Sequence, residues 1–144
     1  MRVFCDTSVL VAGCVTRHPH FSRARPVLES VALGRDEGSV SCHSLAEVYS
    51  ALTLLPLSPR ILPGEAERII EASIRRCFRL IPVSAAMYEA AIATCVRMGL
   101  PGGKVYDALL LECARRAKLQ RIYTFNTSDF LRLAPDLGSI ITAP

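Results

Sequence analysis

The sequence predicts an α/β protein in which a mostly parallel, five-stranded sheet lies between layers of helices, a three-layer α/β/α arrangement. Short apolar runs bounded by turn residues alternate with stretches whose apolar positions recur at three- and four-residue steps. Strands separated in this way need crossovers and therefore pair in parallel, with helices covering both faces. The 144 residues are 51% hydrophobic and 21% charged, enough for one domain with its own core and too apolar for a disordered chain.

Val3-Phe4-Cys5 reads as the first strand, with Asp6 at its carboxyl end where the chain turns into a short helix, Thr7 to Cys14. His18-Pro19-His20 breaks that helix. From Phe21 to Leu33 the positions Phe21, Ala24, Val27, Leu28, Val31 and Ala32 form one apolar face, and Gly34 closes the helix. Gly38 to Cys42 is a second strand. Ser44-Leu45-Ala46-Glu47 opens a helix to about Leu55, and Pro56, Pro59, Pro63 and Gly64 mark a loop. Glu65 to Arg76 is helical, Phe78 to Val83 a third strand, and Ser84 caps a helix from Ala85 to Met98. After the break at residues 99–103, a helix runs from Lys104 to about Lys118. Arg121 to Thr124 is a fourth strand, Asn126 to Phe130 enters a short helix, and Ser139 to Thr142 adds an edge strand.

No apolar run approaches the ~18 residues of a membrane span. Asp6, Thr7 and Ser8 break the only apolar stretch near the start, so no signal peptide is read and a cytoplasmic location is expected. The six cysteines are scattered, form no CxxC, and read as buried reduced thiols. Net charge is +4, from 15 Arg and 2 Lys against 13 acids. Arg suits phosphate because its planar fork binds two oxygens, so the charge permits a nucleic-acid partner; an Arg-leaning coding bias gives the same count.

Four acids stand out, each with a plain structural explanation. Asp6 has the position of an N-cap. Ser44-x-x-Glu47 has the spacing of a capping box. Asp107 and Asp129 lie in first turns, where the helix dipole favours an anion. As a set they say more. Helices that follow parallel strands begin at one sheet edge, where ligands of open α/β sheets bind. Acids converging there repel one another unless a cation compensates, and a hard divalent ion does so.

Phe4-Cys5-Asp6-Thr7-Ser8, Ser44-Leu45-Ala46-Glu47, Val105-Tyr106-Asp107-Ala108-Leu109 and Thr124-Phe125-Asn126-Thr127-Ser128-Asp129-Phe130 resemble, in order and spacing, the successive motifs of PIN-domain ribonucleases. His18-Pro19-His20 and Gly102-Gly103 make the chain resemble, more narrowly, the VapC toxins of bacterial toxin–antitoxin pairs. The likeness runs from Arg2 to about Thr142 and implies a single PIN domain over residues 1–144 with a PIN-like fold. It implies a pocket of acids holding Mg2+ or Mn2+, with Asp6, Asp107 and Asp129 as ligands and Glu47 acting through an intervening water. Asn126 competes with Asp129 for the last place; Asp129 is preferred because a carboxylate holds a divalent ion better than an amide. Thr7, Ser8, Thr124 and Asn126 are candidates to orient those acids by hydrogen bonds.

The implied activity is metal-dependent hydrolysis of RNA, in which an activated water attacks phosphorus in line and leaves a 5′-phosphate and a 3′-hydroxyl. Lys104, then Arg17, Arg23 and Arg25, are the candidate RNA contacts, because the acids themselves repel phosphate. The resemblance also implies a cognate antitoxin and a homodimer. The apolar faces at Phe21 to Leu33 and Leu52 to Leu57 serve such contacts or the protein's own core. His18, His20 and His43 match no zinc spacing and read as surface or capping residues. A receiver domain is excluded because Pro82-Val83-Ser84 follows the third strand where a phospho-acceptor Asp belongs. A haloacid-dehalogenase-like phosphatase is excluded because Ser8 stands where its second acid belongs. The alternative is a PIN fold without activity that binds RNA or protein.

Overall fold

The computed structural model describes residues 1–144. Five strands, β1 (Arg2–Cys5), β2 (Glu37–Ser41), β3 (Arg79–Ile81), β4 (Arg121–Tyr123) and β5 (Ile141–Thr142), form one sheet in the order β3-β2-β1-β4-β5. Every pairing is parallel, including that of the short edge strand β5 with β4. Seven α-helices connect them: α1 (Thr7–Cys14), α2 (Phe21–Ala32), α3 (Cys42–Leu54), α4 (Pro63–Ile70), α5 (Ala85–Met98), α6 (Lys104–Arg116) and α7 (Thr127–Leu133). The expected α/β/α fold is the observed one.

Side-chain alternation along β1 divides the core. Val3 and Cys5 point to one face and Phe4 to the other, as the two-residue period of a strand requires. Val3, Cys5 and Val40 are buried with Leu10, Leu28, Val48, Leu52 and Ile74 from the helices between β1 and β3. Phe4 and Ile122 are buried on the opposite side with Met87, Leu109, Leu110 and Phe130 from α5, α6 and α7. Leu28, Val31 and Leu52 thus belong to the protein's own core, whereas Leu33 and Leu54 remain exposed. All six cysteines are free. No helix is long and apolar enough to cross a membrane.

Several boundaries differ from the sequence expectation. Helix α3 starts at Cys42, because Ser41 is its N-cap and accepts a hydrogen bond from the His43 amide at 3.1 Å. Ser44 therefore lies inside the helix, fully buried, and forms no capping box with Glu47. Helix α4 starts at Pro63, whose missing amide costs nothing at a first helical position, and Glu65 reaches back to the Leu62 amide at 2.8 Å. That helix continues through a π-helical turn over Glu71–Arg75. β3 is shorter than Phe78 to Val83, since Pro82 has no donor for the ladder.

β1 lies at the middle of the sheet, and the chain builds outward from it in one direction through β2 and β3 and in the other through β4 and β5. The crevice between the carboxyl ends of β1 and β4 is the reversal point where open parallel sheets bind ligands. Asp6 is at the end of one strand and Thr124 at the end of the other. Close packing behind this edge includes Gly38 in β2, where a Cβ would lie 2.6 Å from both Phe78 and Val31. Gly38→Ala should therefore overpack this layer and lower stability by about 1–3 kcal/mol, read as a drop in the urea midpoint at constant m.

Candidate active site

Asp6 is only 4% exposed. Its Oδ2 accepts hydrogen bonds from the hydroxyls of Ser8 at 2.6 Å and Thr124 at 2.8 Å. Each hydroxyl in turn accepts from a main-chain amide, Ser8 from Phe125 at 3.2 Å and Thr124 from Asn126 at 2.9 Å. With its oxygen so engaged, each hydroxyl directs its single proton at the carboxylate. The Asp6 side chain makes no capping bond to α1. It faces the crevice instead.

Two further acids reach the same place. Glu47, on α3, accepts from Thr7 Oγ1 at 3.4 Å and lies 3.8 Å from His43 Nε2. Asp107, in the first turn of α6, accepts from the Asn126 side-chain amide at 3.0 Å. Asp6, Glu47 and Asp107 line one open cavity of about 470 Å³ together with Thr7, Ser8, His18, His20, Phe125 and Asn126. A larger cavity of about 850 Å³ lies elsewhere, between α3 and α4, where Glu71 is paired with Arg75 and Arg76.

The electrostatics of the acid cavity are those of like charges confined together. Burial raises the Asp6 carboxyl above its usual range, against the pull of the Ser8 and Thr124 hydroxyls. Burial, then the charges of Asp6 and Asp107, push Glu47 up to about 7. Burial and the charge of Asp6 push Asp107 up to about 6, against the attraction of Lys104. These are carboxylates in want of a cation.

The remaining candidates are distributed around the rim. Asp129 does not line the cavity; it is bonded to Lys104, which holds its carboxyl below the usual range. Asn126 occupies the wall next to Asp107 in its stead. Arg17 donates to the carbonyls of Ser58 and Pro59, and Arg25 is paired with Glu29. Arg23 lies with its guanidinium 5.3 Å from the Phe125 ring centre, beside the cavity. Of the four basic candidates, Lys104 is next to the acids, whereas Arg17 and Arg25 are committed to loop and helix contacts and Arg23 donates to the Pro144 carbonyl at 3.0 and 3.2 Å.

His18 and His20, read as surface or capping residues, also line the cavity, with His20 exposed at the N-cap of α2. The His20 ring stacks on Phe125 at 4.6 Å, and its amide donates to His18 Nδ1 at 3.1 Å. That bond makes Nδ1 the acceptor, so neutral His18 carries its proton on Nε2. The signal available in the sequence was the His-Pro-His run itself, which the absence of a zinc spacing caused to be discounted.

No three His, Cys, Asp or Glu side chains lie close enough to cage an ion unaided. The carboxylates of the cavity, Asp6, Glu47 and Asp107, with the Asn126 amide make an oxygen donor set that is small and open to solvent, and the His18 and His20 rings line the same cavity as nitrogen donors. The oxygen set fits Mg2+, which uses one or two carboxylates and keeps much of its water, better than zinc or a soft metal.

The family description "PIN domain" matches residues 3–135, almost the whole chain. Among solved structures the chain is similar to VapC20 of Mycobacterium tuberculosis, a toxin that cleaves the sarcin-ricin loop, with a TM-score of 0.70 and 20% identity over 88% of this chain and 92% of that one. It is similar to VapBC2 of Rickettsia felis bound to a promoter DNA fragment, with a TM-score of 0.66 and 20% identity over 99% and 98% of the two chains. A toxin–antitoxin complex from Klebsiella pneumoniae gives 0.62 and 22% over 89% of each chain. At these identities the likeness is one of fold. No curated protein matches it in sequence.

In protein stripped of divalent ions, Glu47 and Asp107 hold protons in the folded state that the unfolded chain has already released. Stability should therefore fall as pH rises from about 4.5 through the values near 6 and 7. A divalent ion favours the charged forms, so the rise in Tm produced by Mg2+ should be larger at pH 8 than at pH 5. Scanning calorimetry at the two pH values checks this, and equal shifts would contradict it.

Proposed function

The chain belongs to the PIN-domain family, and from that premise we propose that it is a Mg2+-dependent endoribonuclease acting as the toxin of a toxin–antitoxin pair. The observation that carries the reading is the convergence of Asp6, Glu47 and Asp107 on one solvent-open cavity at the carboxyl edge of the sheet. Mn2+ satisfies the same donors.

Asp6 and Asp107 would hold the ion, with Glu47 on the same cavity and Asn126 beside Asp107. A divalent ion there supplies Lewis-acid polarisation of the phosphodiester and a lower pKa for the attacking water. The residues of the chain do the rest. Ser8 and Thr124 fix the Asp6 carboxylate, so no side-chain ordering remains to be done when an ion or substrate arrives. The Asn126 amide fixes Asp107 in the same way. Glu47, on the same cavity, takes one proton from the water as its oxygen bonds to phosphorus. The P–O3′ bond breaks on the opposite side, and the leaving oxygen collects a proton to give a 3′-hydroxyl and a 5′-phosphate. Asp129, bonded to Lys104, lies outside this set; we propose that it orients Lys104 toward the substrate backbone, and that it completes the metal site only if Lys104 releases it.

The toxin assignment draws on the fold shared with VapC20, VapBC2 and the Klebsiella complex. A small antitoxin that covers the acid cavity and a second copy of this chain are the partners it calls for. Co-expression with the product of the adjacent gene should suppress RNA cleavage; undiminished cleavage by the co-purified pair would count against the pairing.

Asp6→Asn and Asp107→Ala should reduce Mg2+-dependent cleavage of a mixed RNA panel below detection while circular dichroism stays native. Glu47→Gln should lower kcat by about 10²–10⁴. Wild-type rates in Asp6→Asn or Asp107→Ala would overturn the assignment.

A further inference from the structure

An aromatic surface lies next to the acid cavity. Tyr106 immediately precedes Asp107 on α6 and is 49% exposed. One face of its ring lies on the His43 ring, 5.4 Å away and within 13° of parallel. Tyr88 meets His43 edge-on at 6.4 Å and 87°, and is itself 42% exposed. His43 Nε2 lies 3.8 Å from Glu47, so this stack begins at the acids.

Three elements, α3, α5 and α6, thus contribute one ring each to a half-open aromatic step beside the cavity. A flat, sequence-tolerant aromatic surface this close to the acids suits a nucleobase. The other aromatic at the cavity, Phe125, already carries His20 and the Arg23 guanidinium against its ring. Tyr106 has only one such neighbour and keeps the rest of its ring open.

We propose that Tyr106, backed by His43, is the stacking seat for an unpaired base adjoining the scissile phosphate. A base that uses the seat must be unpaired at the point of cleavage. The inference rests on the ribonuclease reading above and adds the residue that seats the base beside the cut. Because His43 already holds Tyr106 in place, little ordering is left for the base to impose. A base within a duplex has both faces occupied and must first unstack to use the seat.

The probe is a single-stranded RNA oligonucleotide of mixed sequence whose cleavage position in the wild-type digest is mapped, then remade with an abasic nucleotide at each neighbouring position in turn. One abasic position should lower wild-type kcat/KM by about tenfold. In Tyr106→Leu the intact RNA should be cut about tenfold more slowly, with no further loss from that abasic site, and Tyr106→Phe should behave as wild type. Abasic penalties that are the same in wild type and Tyr106→Leu would overturn the seat, as would equal wild-type rates on the oligonucleotide alone and annealed to its complement. Failure of the wild type to cut any RNA would sink the ribonuclease reading itself, an outcome distinct from active enzyme with an indifferent Tyr106.

Discussion

A carboxylate buried at the end of the central strand is the constraint to which the rest of the molecule answers. Asp6 is removed from water, and an unaccompanied charge there is costly. Two hydroxyls, each fixed by a main-chain amide, supply the hydrogen bonds it loses. Those amides belong to the loop after β4, so β4 must pair next to β1. The sheet order β3-β2-β1-β4-β5 does that and opens a crevice at the point where the chain changes direction. The placement of Asp6 and the topology are two views of one requirement.

Hydrogen bonds stabilise Asp6 without neutralising it. Glu47 and Asp107 arrive on helices from either side, and burial, then the charges of the neighbouring acids, push both well above an ordinary carboxylate. A fold under pressure for stability alone would replace at least one of them. Keeping all three stores a demand for a cation, and the basic groups nearest the cavity do not meet it: Lys104 is bonded to Asp129, and Arg23 lies over Phe125. On the function proposed above, the acids would hold a small hard ion and the cationic and aromatic rim would meet the phosphates and bases of a polynucleotide.

Much of this was legible in the sequence. The strand and helix order follows from apolar periodicity and from glycines such as Gly34 and Gly99, which take left-handed conformations at the ends of α2 and α5. Asp6, Glu47 and Asp107 could be singled out because each sits near a helix start. What periodicity could not decide was competition between chemically similar neighbours. Ser41 and Ser44 both have capping chemistry, and burial of Ser44 against the sheet leaves Ser41 as the cap. Asn126 and Asp129 are one helical turn apart; Asn126 precedes α7 and faces Asp107, whereas Asp129 meets Lys104 across the rim. His18 and His20 were undervalued because a loop returning to a site leaves no periodic trace. The His20 ring stacks on Phe125, a residue more than a hundred positions away, and His18 is tied to it by a bond from the His20 amide.

The acid cavity is proposed as a hard-metal site organised by Asp6. A crystal soaked in Mn2+, with anomalous diffraction recorded, tests that directly. The expected result is an anomalous peak bonded to carboxylate oxygens of Asp6 and Asp107 at roughly 2.0–2.3 Å, with water completing its coordination. A cavity that stays free of metal at millimolar Mn2+, or an ion held by His18 and His20 with the acids unengaged, would contradict it.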